Sequence, residues 1–243
     1  MGRASMIGAV VAGAMTGSAL SAQNDIGPPQ PLTCLLAPMR SSEIGSDLRG
    51  IVRDVTVERA DGVAEGDPLI QLDTAMAEAD LEVALINIAA LEERLARNER
   101  LVSRNLVSRD EIEAIRTELA LARAEEKRAR LTLERATIRA PFEGFIADVN
   151  VSKGELIGAD PLLELIAVNR LKVELVYLAG SYKELEVGDT LRISVDATGA
   201  TGDAVITSVD PFIDPSSNTF TVIAEADNAD RTIPAGSACA VIR

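Results

Sequence analysis

The residue types that catalysis usually draws on are sparse in this chain. It contains no histidine, which removes histidine-based triads, the commonest general base and His-containing zinc sites. Two cysteines, Cys34 and Cys239, lie 205 positions apart and form no CxxC element. In an oxidising compartment they either pair or sit as two small buried apolar residues, and pairing needs Cα atoms within about 7 Å. No G-x-x-x-x-G-K-[ST] loop is present, and Gly62–Gly66 fits a turn better than a phosphate cradle. Of the 38 carboxylates, 13 lie on the helical stretch between Thr74 and Ala136, where a solvated, ion-paired face is the ordinary explanation. No catalytic, cofactor-binding or metal-ligating set emerges, and the expectation is a protein that is not an enzyme. Recognition chemistry is better supplied, at Arg97-Asn-Glu-Arg-Leu101-Val-Ser-Arg-Asn-Leu-Val-Ser108. Arginine's planar fork binds carboxylates or carbonyls in pairs, and a leucine at a surface gains by burial. Taken singly, each has a plain role: surface arginine, last-turn leucine, and a serine N-cap worth about 1 kcal/mol.

The elements that position these residues are two helical arms between Thr74 and Ala136. In the first, Leu81, Ala84, Ile88, Leu91, Leu95 and Val102 recur at three- and four-residue steps, interrupted by Asn98; in the second, Ile112, Ile115, Leu119, Ala122, Ala129, Leu133 and Ala136 do so, interrupted by Glu126. Each is a coiled-coil seam that needs a partner. The break lies at Ser103–Ser108, where Ser108 and Glu111 form an S-x-x-E capping box and Asp110 adds negative charge to the new N-terminus. Arms of about 30 residues give a hairpin roughly 45 Å long, which must project from the rest. Folded antiparallel about Asn105, it places Leu95 near Ile115 and Ile88 near Ala122.

Two copies of one short β-meander flank the arms. Gly50-Ile-Val-Arg-Asp-Val-Thr-Val-Glu, Asp61-Gly62 and Gly66-Asp-Pro-Leu-Ile-Gln-Leu72 are matched by Gly144-Phe-Ile-Ala-Asp-Val-Asn-Val-Ser, Gly154 and Gly158-Ala-Asp-Pro-Leu-Leu-Glu-Leu165. Together they predict a β-sandwich into which the hairpin is inserted. Beyond Leu171, period-two segments at Leu171–Tyr177, Leu191–Val195, Ala204–Val209, Thr219–Glu225 and Cys239–Ile242 predict a small antiparallel barrel, completed by a strand over Leu32–Pro38. A short helix is expected at Ala179–Leu185.

These residues resemble the periplasmic adaptor, or membrane-fusion, HlyD-like proteins of tripartite efflux and secretion pumps, with the adaptors of resistance-nodulation-division (RND) pumps the most similar. The resemblance rests on the split repeat around the hairpin, on Ile138-Arg-Ala-Pro-Phe-Glu-Gly144, and on Val209-Asp-Pro, Ser217-Asn-Thr219, Asn228 and Pro234-Ala-Gly236. It implies a mixed α and β, elongated, modular fold. Its parts are a lipoyl-like β-sandwich (43–73 with 139–168) split by a coiled-coil hairpin (74–138), and a β-barrel (32–42 with 169–243). Arg97, Leu101 and Ser108 match the R-x3-L-x6-S pattern with which the family meets TolC-like outer-membrane channels. The resemblance further implies an inner-membrane transporter partner, RND ahead of ABC, and self-association as a hexamer. In the family a membrane-proximal β-domain usually follows the barrel, whereas this chain stops at Arg243; either the domain is absent or the sequence is truncated.

Two other readings remain. One is an envelope scaffold that uses the hairpin as a spacer. The other is a lipoyl- or biotinyl-type carrier, for which Lys153 is the only lysine near a suitable turn, without Met-Lys-Met-type flanks. Residues 1–22, with Arg3 ahead of an Ala/Gly/Val-rich run and small residues at Ala19, Ser21 and Ala22, read as a cleaved signal peptide in preference to an uncleaved anchor. That places the mature chain in the periplasm beside the inner membrane. Residues 23–31 form an extended lead-in. A net charge of −14 argues against nucleic acid, and aromatics at 2% with no Trp predict several small aliphatic cores.

Overall fold

The computed structural model describes residues 1–2, 29–102 and 108–242. The expected signal peptide, beyond its first two residues, and 103–107 at the turn between the arms lie outside the described residues. The elements are β1 (Thr33–Ile44), β2 (Gly50–Val55), β3 (Gly62–Val63), β4 (Pro68–Leu72), α1 (Ala75–Val102), α2 (Arg109–Arg135), β5 (Thr137–Arg139), β6 (Gly144–Val149), β7 (Leu156–Ile157) and β8 (Leu163–Leu178). After a 3-10 turn at Ala179–Glu184 come β9 (Thr190–Val195), β10 (Thr201–Val209), β11 (Thr219–Asp227) and β12 (Cys239–Ile242). The fold is mixed α and β, with one eight-stranded and one four-stranded sheet. Among the described residues no helix is long and apolar enough to cross a membrane.

The sequence repeat becomes an exchange of strands. β2 pairs with β4 of its own copy and with β7 of the other (Gly50 opposite Ile157), while β6 pairs with β8 and with β3 (Gly62 opposite Phe145). The backbone bonds match across the two halves: Ala60 N–H donates to Ile146 O at 2.8 Å and Gly154 N–H to Val52 O at 2.8 Å. Even the turn chemistry is duplicated, with the Asp61 carboxylate accepting the Glu58 N–H at 2.8 Å and the Glu155 carboxylate accepting the Ser152 N–H at 2.9 Å. Because each copy's middle strand completes the other, neither can close a core alone. The shared core draws Val52, Leu69, Ile70, Ile146, Leu163 and Leu165 from both sheets, each contributing about 1.5–3 kcal/mol on burial. β4 and β5 pair (Ile70 opposite Ile138), so the helical arms leave and return at neighbouring points.

A second core lies between β1, β8, β9, β10, β11 and β12, with Leu36, Val173, Leu175, Ile193 and Val222 fully buried and Tyr177 stacked on Phe220 at 5.9 Å. The sheet curls until its ends meet: Leu36 N–H donates to Ser237 O at 2.9 Å, and Gly236 N–H to Leu36 O at 2.6 Å. At that seam Cys34 and Cys239 form a disulfide, with Cα atoms 5.0 Å apart.

The two cores are joined by one long ribbon. β1 pairs with β8 along nearly its whole length, from Thr33 opposite Val176 to Ile44 opposite Leu163, with a register shift between Pro38 and Arg40. The strand expected over Leu32–Pro38 therefore runs on to Ile44, and β8 passes unbroken through the boundary drawn at 168/169. Each half of β8 alternates buried with half-buried residues, and within the strand the pattern lapses at Asn169 and Arg170. Buried Asn228 braces this point: its Nδ2 donates to Val168 O at 2.7 Å and Ile233 O at 2.9 Å, and its Oδ1 accepts the Ile233 N–H at 3.0 Å. Arg231 extends from the same loop over the Phe145 ring at 4.9 Å and pairs with Glu143 at 3.1 Å.

Candidate functional site

The site is the far end of the two helices. α1 contains neither Gly nor Pro, and its start is held by the Asp73 carboxylate, which accepts the Ala75 N–H at 2.9 Å. The arms pack antiparallel. In α2 Ile112, Ile115, Leu119 and Ala122 are buried, and in α1 Ala84 is buried while Leu81, Ile88, Leu91 and Leu95 are half-buried. Polar contacts across the seam join Arg94 to Glu118 (3.1 Å), Arg116 to Glu99 (3.0 Å), Arg123 to Glu92 (2.8 Å) and Asn98 to Glu111 (3.5 Å). This register sets Leu95 between cross-linked neighbours at the level of Ile115. Both polar intruders in the seams have partners: Asn98 meets Glu111, and half-buried Glu126 binds Arg130 on its own helix.

Ser108 caps α2, its Oγ accepting the Glu111 N–H at 3.1 Å from an extended backbone at φ −79° and ψ 156°. The Glu111 carboxylate accepts the Asn98 amide across the seam, so this residue ties the cap to the opposite arm. Arg97 is exposed and paired with Glu93 at 3.3 Å. Leu101 stands one turn further along the same face and is half-buried. The side chain of Val102, expected as the last seam residue, lies outside the described residues. An exposed i, i+4 ion pair is worth only about 0.3–0.5 kcal/mol, so the Glu93 pairing holds Arg97 only weakly.

Sequence reading passed over Arg116. Its guanidinium bonds Glu99 across the seam and Glu113 at 2.8 Å on its own helix, and those two hydrogen bonds raise its pKa. Glu99, Arg109, Ile112, Glu113 and Arg116 line a shallow cleft of about 350 Å3 just below the tip. The signal available was a Glu113-x-x-Arg116 spacing, which is common on any charged helix.

No protein-family model matches the chain. A protein of Haemophilus influenzae (strain Rd) described as uncharacterized is 26% identical over 200 residues, which is 82% of this chain and 52% of that protein. The chain thus spans about half the length of that curated relative. Among solved structures, a MacA–MexA chimera carrying the Pseudomonas aeruginosa MexA α-hairpin domain aligns at TM-score 0.76 and 20% identity, over 86% of this chain and 76% of the chimera. The membrane fusion protein Spr0693 of Streptococcus pneumoniae R6 aligns at 0.71 and 18%, over 87% of this chain and 96% of that one. The fold is that of the membrane fusion proteins. A third structure of this kind, MacA of Actinobacillus actinomycetemcomitans, aligns at 0.60 and 16% over 87% of this chain and 77% of its own.

Within the membrane-fusion fold, Arg97 and Leu101 near the end of α1 and Ser108 at the start of α2 fall at one end of the helix pair, whereas Cys34 and Cys239 lie in the curled eight-stranded sheet. Lys153 is exposed at the turn after β6 and pairs with Asp54 at 3.4 Å, an ordinary surface ion pair. Among the described residues no group of three or more His, Cys, Asp or Glu is placed to hold a metal ion.

Proposed function

We propose that this chain is a periplasmic adaptor of the HlyD-like class. It would bridge an inner-membrane transporter and a TolC-like outer-membrane channel for the efflux of small molecules, and would act by assembly rather than catalysis. The observation that carries this reading is the helix pair whose end brings Arg97, Leu101 and Ser108 together on a membrane-fusion fold. In this reading the helices are the family's coiled-coil hairpin, the shared repeat core is its lipoyl-like sandwich, and the curled sheet is its β-barrel. A signal peptide over residues 1–22 delivers the chain to the periplasm, and an RND transporter is the expected inner-membrane partner.

Self-association, as a hexamer by family resemblance, has a physical motive. α1 carries a second apolar stripe at Met76, Ala79, Val83, Ile86 and Ala90, all exposed, with three- and four-residue steps. A helix with two such stripes is half-satisfied by one partner helix.

The test compares Arg97→Asp with Arg123→Asp, a control further down the second arm whose ion pair with Glu92, made across the seam, is also exposed. The expected outcome is that Arg97→Asp loses channel pull-down and substrate export, with folding and secretion intact, while Arg123→Asp keeps both. Equal loss in both variants, or in neither, removes the tip from the docking role. Capture of neither channel nor transporter by the unsubstituted chain is the result that a simple envelope spacer gives.

A further inference from the structure

The seam of the curled sheet is made differently from the rest of it. Around the second core the strand order is β12, β9, β10, β11, β8, β1, so β1 and β12 are its two outer edges. Inside the sheet, neighbours are joined by ladders, as between β11 and β8 from Thr219 opposite Leu178 to Asp227 opposite Arg170. The two edges meet instead at an isolated bridge, Leu35 opposite Ala238, flanked by the bonds from Leu36 N–H to Ser237 O and from Gly236 N–H to Leu36 O. β12 is four residues long, and its ladder is with β9. A short edge held by one ladder and one bridge opens easily unless something else fixes it. The bond between Cys34 and Cys239 lies beside that bridge and ties together positions 205 apart in the chain.

Both cysteines are buried in the closed sheet, Cys34 opposite Leu175 and Cys239 opposite Val195. They are the only two in the chain, so the electrons released when they pair have no thiol or disulfide acceptor within it. From Leu32 to Met39 and from Thr232 to Ile242 there is no Lys or Arg, and the chain has no histidine, so no flanking cation favours either thiolate. A mixed disulfide with an oxidant needs space outside the sulfur, and the closed seam leaves none. Exchange therefore comes first and closure of the sheet second.

We propose that the Cys34–Cys239 bond is a redox latch: a protein thiol–disulfide oxidase acts on the open sheet, and only the oxidised chain holds β12 against β1. One cysteine thiolate attacks a sulfur of the oxidase's disulfide, forming a mixed disulfide and releasing one oxidase thiolate. The other cysteine attacks the chain's own sulfur in that mixed bond, forming the Cys34–Cys239 bond and releasing the second oxidase sulfur. The chain gives up two electrons and two thiol protons, and the oxidase leaves as a dithiol. The inference rests on the adaptor reading above for export to an oxidising compartment, and it adds a partner and a maturation step to that reading.

The test takes the full chain from cells with and without the thiol oxidase of their envelope, and tags free thiols with a polymer-linked maleimide after acid quenching. The expected result is an exported chain with no free thiol in the first cells and with both thiols free in the second. The oxidised and reduced chains are then compared by NMR. On reduction the amide signals of Leu36 and Gly236, the donors at the seam, should lose their closed positions, while those of Ala60 and Ile146, which donate within the shared repeat core, stay in place. Complete oxidation in cells without the oxidase overturns the proposal. So do unmoved Leu36 and Gly236 signals in the reduced chain, because the seam then closes without the bond, and so does loss of the Ala60 and Ile146 signals, because the bond then holds the whole fold. An exported chain that gives any of these results leaves the adaptor reading standing. A chain found reduced in the cytoplasm of cells that have the oxidase removes the export reading and the latch together.

Discussion

Gly50 and Gly144 open the two copies of the repeat and look interchangeable in sequence, yet they should differ sharply on substitution by alanine. A Cβ on Gly144 would lie 2.3 Å from Ile166 O and 3.0 Å from Ile166 C, both backbone atoms. Ile166 is paired on both sides, with Ser41 of β1 and Phe145 of β6, so its carbonyl cannot retreat by the roughly 1 Å needed without disturbing two ladders. A Cβ on Gly50 meets only the Leu72 side chain, at 3.6 Å, an ordinary contact. Overpacking of this kind costs about 1–3 kcal/mol, and a weakened ladder bond adds about 1 kcal/mol. Reduced freedom of the unfolded chain offsets less than about 1 kcal/mol of that. The net loss for Gly144→Ala is about 1–4 kcal/mol, or roughly 2–16 °C in melting temperature for a chain of this size. Gly50→Ala should stay within about 0.5 kcal/mol. Thermal unfolding followed by circular dichroism on both variants decides it. Melting temperatures within about 1 °C of each other would refute the claim that β8 is fixed from both sides at Ile166.

Leu95→Asp places a carboxylate in the seam between the Arg94–Glu118 and Arg116–Glu99 pairs, at a cost of about 2–3 kcal/mol; limited proteolysis should cut the arms while the two sheets survive, and full resistance contradicts the register. Asn228→Ala removes three hydrogen bonds at the junction of the two cores and should cost about 2–4 kcal/mol, read as a lower urea midpoint, with Asn228→Asp recovering only part of it. Cys34→Ser opens a loop that spans 205 positions; chain entropy alone predicts a loss of about 5 kcal/mol, and nonreducing mass mapping of the exported chain should find Cys34 and Cys239 in one linked peptide. Tyr177 is buried with its hydroxyl unpartnered, and burial pushes its pKa up to about 12. Folding therefore favours the protonated phenol: its contribution is complete below about pH 10 and is lost as pH rises through 12, by about 2–3 kcal/mol in all. Tyr177→Phe should be at least as stable as the unsubstituted chain at pH 8 and should lack that alkaline loss, measured as the difference between the two proteins in urea at pH 8 and 11.5.

The helices and most strands were legible because their cause is local. Heptad steps, a serine cap at Ser108 and period-two alternation each fix a short stretch of backbone before any distant contact forms. The repeat was visible for the same reason, as two similar stretches with the same turn residues. Where each strand finds its partner is a long-range matter. The exchange of β3 and β7 between copies satisfies edges that neither copy can close alone, and nothing within 50–72 or 144–165 specifies it. The same limit explains the ribbon of β1 and β8: the second domain is expected to begin at 169, but the backbone continues through that point because hydrogen bonding to β1 on one side is indifferent to which core lies beneath. Sequence placed Arg97, Leu101 and Ser108 by spacing alone; only packing fixed that Leu101 is half-buried, that Arg116 clasps both arms, and that Phe212 is the one aromatic left in solvent. Residue type determines what a side chain is able to bind, whereas burial, set by partners far away in the chain, decides whether it is free to do so.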